Sequence, residues 1–250
     1  MEIKFKKNYR IELAKTLASG GHWYSVWLKN KKGKEKFLGH WPSVTLLLSA
    51  YPTSEQLIKW VATQGFHESR EIRDEAGRRG TRIHLGIMGL LDEYELEEKN
   101  YTTEEWHKLD SFVKWHHEYN PEILAVEIPV FSKKGRYAGR VDCVAKINGQ
   151  IHLLDWKSSR SIHESATLQV AAYSNAIEEM TDLKVENAAI LQMGAQNKNG
   201  YRFVLYPRED WKARYKVFEN VRDTWIHDNY GSRKNPKDPP VLELPESLKL

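Results

Sequence analysis

Residues 137–157 read YAGRVDCVAKINGQIHLLDWK. Two β-like runs flank Asn148-Gly149, the residue pair most favoured in a two-residue hairpin turn. With that turn in place Ile147 faces Gln150, and stepping outward along both strands sets Asp142 opposite Asp155. Carboxylates so opposed have Cβ atoms about 5 Å apart. Like charges repel in that position, and a fold retains them where something cationic lies between them. Lys157 stands two residues beyond Asp155 and shares its face, with Arg140 opposite it. Val144, Ile151 and Leu153 are on the same face and are apolar, so the two acids border a core and need a partner or a metal.

Hard oxygen ligands of this kind favour Mg²⁺ or Mn²⁺, and the Trp156 carbonyl is placed to complete their shell. Two acids and a lysine on one sheet face suit hydrolysis of a phosphodiester by metal-activated water. Lys157 would hold the attacking water and offset charge on the phosphate. A β-bulge would shift the pairing of the acids but not the shared face of Asp155 and Lys157.

This constellation resembles the PD-(D/E)XK nuclease superfamily. Gly139-Arg140-Val141-Asp142 matches its Gly-x-x-Asp strand start, and Asp155-Trp156-Lys157 matches its (D/E)-x-K. Gln169 and Tyr173, within LQVAAYSNAI, match the Gln-x-x-x-Tyr helix of the RecB-like branch. Gly80-Thr81-Arg82-Ile83-His84 is similar to that branch's upstream histidine segment, and Glu127 in AVEIPVF falls at a common acidic position. Residues 41–48, WPSVTLLL, look like the start of the first helix in phage and mitochondrial members. The likeness spans roughly residues 41–206.

The resemblance implies an α/β fold: a restriction-endonuclease-like mixed sheet flanked by helices, preceded by a β/helical lead-in. It implies His84, Asp142, Asp155 and the Trp156 carbonyl as metal ligands. Glu127 is either a ligand, direct or through water, or simply on the solvent side. Lys157, Gln169 and Tyr173 complete the catalytic set, the last two orienting Lys157, the phosphate or the strand. The implied substrate is DNA, single-stranded or with accessible ends. The implied activity is that of an exonuclease in repair, recombination or replication. An endonuclease of the same superfamily is the first rival, and a nucleic-acid-binding module without catalysis the second; intact Asp142, Asp155 and Lys157 argue against the latter.

The 250 residues are 40% hydrophobic and 29% charged, as in a globular soluble chain. No apolar run approaches the ~20 residues needed to cross a bilayer. The N-terminus lacks the apolar stretch of a secretory signal. Cys143 is the single cysteine, which rules out an internal disulfide and a four-cysteine iron–sulfur cluster and suits a reducing compartment. An intracellular, cytoplasmic setting is expected, of phage or prokaryotic kind, with a mitochondrial one open. The net charge of +4 permits nucleic-acid binding without demonstrating it.

Three regions are expected: a small β-rich element over 1–42, the nuclease domain with its helical lead-in over 43–230, and an extended tail over 231–250. In the first, residues 22–28 and the segment GKEKFLGHW form strands about the turn KNKKGK. Trp23, Tyr24, Trp27 and Trp41 suit either a small core beneath this sheet or stacking on bases. Ser43 caps a short helix, Thr53 or Ser54 caps a second ending at Gly65, and residues 66–98 read as one long helix. Thr102 and Glu105 form a capping box that opens a helix to Tyr119. Strands follow at 123–131, 136–147 and 150–157, then a helix at 163–179, strands at 188–193 and 201–206, and a helix at 208–228. Arg78, Arg79 and Arg82 suit either a solvated face paired with Asp74 and Glu75 or phosphate anchoring. Ser158, Ser159 and Arg160 follow Lys157 and are placed to contact backbone phosphate.

Overall fold

A computed structural model describes residues 3–14 and 22–230. The chain begins with an antiparallel three-stranded sheet: β1 (Asn8–Leu13), β2 (Trp23–Lys29) and β3 (Glu35–Pro42). Ser43 then accepts the Leu46 N–H and starts the short helix α1 (Val44–Leu47). Ser54 caps α2 (Glu55–Gln64) in the same way, and Gly65, at φ 85°, turns directly into α3 (Phe66–Leu91). A complete Thr102–Glu105 capping box opens α4 (Thr103–Tyr119), which closes on left-handed Asn120.

The main sheet follows. β4 (Glu122–Ser132), β5 (Tyr137–Ile147) and β6 (Gln150–Lys157) are antiparallel neighbours. Helix α5 (Glu164–Met180) then crosses over to β7 (Asn187–Met193), parallel to β6, and β8 (Tyr201–Pro207) pairs antiparallel with it. The order is β4-β5-β6-β7-β8, and α6 (Arg208–Tyr230) ends the described chain. This is the expected α/β arrangement of a mixed sheet between helices. Asn148 and Gly149 both take positive φ, 50° and 81°, as a two-residue hairpin turn requires.

Strand alternation divides the sheet into two cores. Val144, Ile151, Leu153, Ala188 and Ile190 face α5, α6, α1 and the N-terminal sheet. Cys143, Ala145, Ile147, Leu154, Trp156, Ala189 and Leu191 face α3 and α4, which contribute Ile83, Ile87, Leu109, Phe112 and Trp115. Gly86 lets these two helices touch: a Cβ there would lie 2.8 Å from Leu109.

Two expectations change. The long helix stops at Leu91 and not 98, because Glu93 adopts φ 63° and the Tyr94 N–H turns back to the Gly89 carbonyl. The N-terminal sheet has a third strand, β1. Of its aromatics, Trp23 and Tyr24 are buried in the first core and Trp41 packs against it. The tail over 231–250 lies outside the described residues.

Candidate metal-dependent active site

Three acids come from three adjacent strands. The β4–β5 ladder pairs Val126 with Cys143 and Ile128 with Val141, which sets Glu127 opposite Asp142. The β5–β6 ladder runs from Ile147↔Gln150 to Cys143↔Leu154 and stops one step short of Asp142 and Asp155. There the Asp142 side chain replaces the ladder: its Oδ2 accepts the Trp156 N–H at 2.7 Å. Glu127 has φ 50°. That left-handed conformation costs a non-glycine residue roughly 1–2 kcal/mol, and such strain persists where the surroundings over-determine it.

Helix α3 brings His84 to this point from the other side of the sheet. Its Nε2–H donates to the Trp156 carbonyl at 3.0 Å, which turns Nδ1 toward the acids. Nδ1 lies 3.7 Å from Glu127 Oε1 and 4.0 Å from Asp142 Oδ1. His84, Glu127 and Asp142 each offer one ligand atom, all within 4.8 Å of one another. The Trp156 carbonyl, expected among the oxygen ligands, also orients the imidazole.

Asp155 contacts Lys157. Only 2% of its side chain is exposed, and its Oδ2 lies 2.8 Å from Lys157 Nζ. The contact is close but poorly aligned, and among the described residues no well-aligned hydrogen bond reaches this buried oxygen. Lys157 Nζ instead donates to Gln169 Oε1 at 3.2 Å, and Gln169 Nε2 donates to the Tyr173 hydroxyl at 3.4 Å. The Tyr173 ring rests on Gly139, where a Cβ would come within 2.5 Å of it. Glycine in the β5 motif is therefore a requirement of the tyrosine on α5.

Electrostatics follow from this crowding. Burial and the charge of Asp155 push the Asp142 carboxyl up to about 7, against the pull of His84 and Lys157. Burial alone would lower His84, but Glu127 and Asp142 outweigh it and raise it. Burial likewise works against the Lys157 ammonium, and the charges of Asp155 and Asp142 overcome it, so its pKa rises. The His84 bond draws Glu127 down despite its burial. Burial holds the Tyr173 phenol well above its usual range, so it stays protonated. The donor set therefore fits a hard divalent cation: carboxylates in mutual repulsion and an oriented imidazole.

Two clefts adjoin at Ser159, and one of them reaches Lys157 and Gln169. One, of about 310 Å³, is lined by Lys157, Gln169, Thr45, Ser49, His163 and Ser165. The other, of about 660 Å³, is lined in part by Ser158, Arg160, Lys108, Gln192 and Arg202. Ser159 belongs to both. Ser158 and Arg160 border the larger cleft. The α3 arginines are engaged by carboxylates: Arg78 by Glu75, Arg79 by Glu104 and Arg82 by Glu105, with Arg82 also donating to the Asn100 carbonyl. Lys108, Gln192, Arg202, Thr45 and Ser49 were not foreseen. Gln192 had a readable signal, since the parallel crossover sets it beside Lys157. The others come from separate elements and share no motif.

No curated protein matches the chain. A solved structure described as "Crystal structure of SSO0001" is similar at 12% identity, covering 63% of this chain and 74% of its own, with a TM-score of 0.30. The sequence profile of the PD-(D/E)XK nuclease superfamily matches residues 59–237, well over half of the chain. That span holds His84, the three acids, Lys157, Gln169 and Tyr173, and the five-stranded mixed sheet is of the restriction-endonuclease-like kind. On fold, motif order and profile together, the chain belongs to the PD-(D/E)XK nuclease superfamily.

Proposed function

We propose that the chain is a metal-dependent deoxyribonuclease that acts as an exonuclease on single-stranded DNA or on DNA with accessible ends. The observation that carries this reading is the row Glu127–Asp142–Asp155 across three strands, with Lys157 fixed by Gln169 beside the junction of two clefts. When bound by Asp142 and Asp155 with His84 and Glu127, Mg²⁺ or Mn²⁺ would supply an acidified water and polarise the phosphate.

The chain's own groups do the rest. Asp142 is held in place by the Trp156 N–H, and His84 by the Trp156 carbonyl. The Lys157 ammonium, aimed by Gln169, offsets negative charge as it builds on the phosphate. Arg160 and Arg202, on the wall of the larger cleft, suit a phosphodiester backbone leaving the site. Two features support an exonuclease: the likeness of the His84 and Gln169–Tyr173 segments to the RecB-like branch, and the recessed position of the acids. Asp142 is 13% and Asp155 2% exposed, so a splayed strand or an end reaches them more readily than intact duplex does. The nuclease domain on this reading spans 43–230, with residues 1–42 as an addition to it.

End-labelled linear DNA and covalently closed circular DNA, each incubated with Mg²⁺, Mn²⁺ or EDTA, test the proposal. Linear substrate should shorten from its ends with either cation and stay intact in EDTA, while the circle survives. Cutting of the circle would make the chain an endonuclease. Binding with no cleavage under any cation would remove the catalytic reading.

A further inference from the structure

We propose that the outer face of the β1–β3 sheet, together with the β2–β3 turn, is a second nucleic-acid surface that holds single-stranded DNA by stacking and charge. It lies outside the span matched by the nuclease family, which begins at residue 59, and it stands or falls separately from the catalytic assignment.

Pairing in the sheet aligns Arg10, Trp27 and Phe37 in one cross-strand row. Their opposite-face neighbours Ile11 and Val26 pack into the first core, so this row faces outward. The Trp27 and Phe37 rings lie 5.3 Å apart, and the Arg10 guanidinium sits 3.6 Å above the Trp27 ring. Phe37 is 47% exposed. A cross-strand aromatic pair alone would be ordinary sheet packing. What distinguishes this one is the charge beside it.

Residues 29–36, KNKKGKEK, hold five lysines and one glutamate. The formal charge of this turn, +4, equals that of the whole 250-residue chain. Its acid is already used: Glu35 pairs with Arg10 at 2.7 Å and with Lys29 at 3.1 Å. Glu12, on the same face, pairs with Arg10 at 2.8 Å. Lys31, Lys32, Lys34 and Lys36 are exposed and make no ion pair among the described residues. The turn is also ordered. Asn30 Oδ1 accepts the N–H groups of Lys32 and Lys34 at 2.9 and 3.0 Å, and Gly33 takes φ 78°.

An exposed ring next to fixed, unneutralised lysines matches a strand with unstacked bases and a phosphate on every residue. Duplex DNA hides its base faces and would use the lysines alone. Stacking on a ring is tolerant of sequence, so no base preference is expected.

Fluorescence anisotropy with labelled oligo(dT) of about 15 nucleotides, in EDTA so that no cleavage occurs, tests this surface. Phe37→Ala should weaken binding about tenfold, the order expected for one lost stacking contact. Phe37→Leu, which keeps apolar bulk without a ring, should do the same and guards against a folding defect. Combined Lys31→Glu, Lys32→Glu and Lys34→Glu should weaken binding further and flatten its salt dependence, each phosphate contact contributing about 0.7 to the slope. All variants should hydrolyse bis(p-nitrophenyl) phosphate with Mn²⁺ as the unaltered chain does, because that compound is too small to reach the sheet. Unchanged oligo(dT) affinity in either ring variant, or in the triple variant, would overturn the proposal while that hydrolysis still spoke for the catalytic site. Absence of hydrolysis in the unaltered chain would count against the catalytic site alone.

Discussion

The Asp142 carboxylate accepts the Trp156 amide at 2.7 Å with one oxygen and turns the other toward His84, 4.0 Å away. One residue is therefore both a strut of the hairpin and a member of the candidate ligand set. Asp142→Asn keeps an acceptor for that amide, whereas Asp142→Ala leaves it unpaired. Both should abolish cleavage and calorimetric Mn²⁺ binding. The alanine variant should be less stable than the asparagine variant by about 1–3 kcal/mol in urea unfolding, the cost of an unsatisfied buried donor. Full activity of Asp142→Asn in Mg²⁺ would take Asp142 out of the site.

Lys157 is aimed by Gln169. Lys157→Ala should lower turnover by about 10²–10³ with Mn²⁺ affinity nearly intact, the usual effect of removing one charge-stabilising group. Lys157→Arg should not rescue it, because a planar guanidinium does not substitute for a compact ammonium. If Gln169 acts only through Lys157, Gln169→Ala should slow the enzyme on its own and have no further effect in the Lys157→Ala background. Additive losses in that cycle would give Gln169 a direct contact with substrate.

Glu127 separates strain from charge. At φ 50° glycine is comfortable and alanine is not. Glu127→Gly should therefore be more stable than Glu127→Ala by about 1 kcal/mol in chemical denaturation, the penalty for a Cβ in this region. Both should bind Mn²⁺ more weakly than the unaltered chain. A glycine variant less stable than the alanine variant would show that the left-handed backbone is not strained.

Arg82 and Glu105 should matter to stability and not to substrate. Glu105 is 1% exposed. Burial raises its pKa, but bonds from Arg82 and the Thr102 cap outweigh this and leave it lowered. A lowered folded-state value gives stability that is present above the unfolded carboxylate range and lost as pH falls through the folded one. Glu105→Gln should cost about 1–3 kcal/mol at neutral pH, as for a lost charge-assisted bond, and should flatten the acid limb of the stability curve. Arg82→Ala should resemble it and leave oligonucleotide affinity unchanged. A large drop in that affinity would restore Arg82 as a phosphate anchor.

The hairpin was legible because its cues are local. Asn148-Gly149 admits few turns, and the apolar alternation beyond it places Asp155 and Lys157 on one face. The interruption at Asp142 was not legible, since a side chain that substitutes for a ladder bond leaves no periodic trace. The same holds for Glu127, whose alternation with Val126 and Ile128 indicates a face but not a reversed φ. Strand β1 escaped notice because its partner lies across residues 15–21 and its side chains are half exposed. Of the arginines on α3, Arg78 pairs with Glu75 as its spacing allows, but Arg79 and Arg82 could not be sorted from sequence because their carboxylate partners sit on α4. Gln192 and Arg202 are ladder partners on β7 and β8, but Lys108 joins them in the larger cleft only through the packing of α4, which no local pattern records.

His84 arrives from the layer of α3 and α4, while Lys157 ends β6 and is met by Gln169 from α5, so the site spans both cores on either side of the sheet. A ligand that engages His84 together with Asp142 acts as a rivet through both layers. By mass action, opening of α3 away from the sheet becomes rarer as cation concentration rises. Amide hydrogen exchange along α3 should therefore slow as the cation is added, so that this helix reports the state of the site.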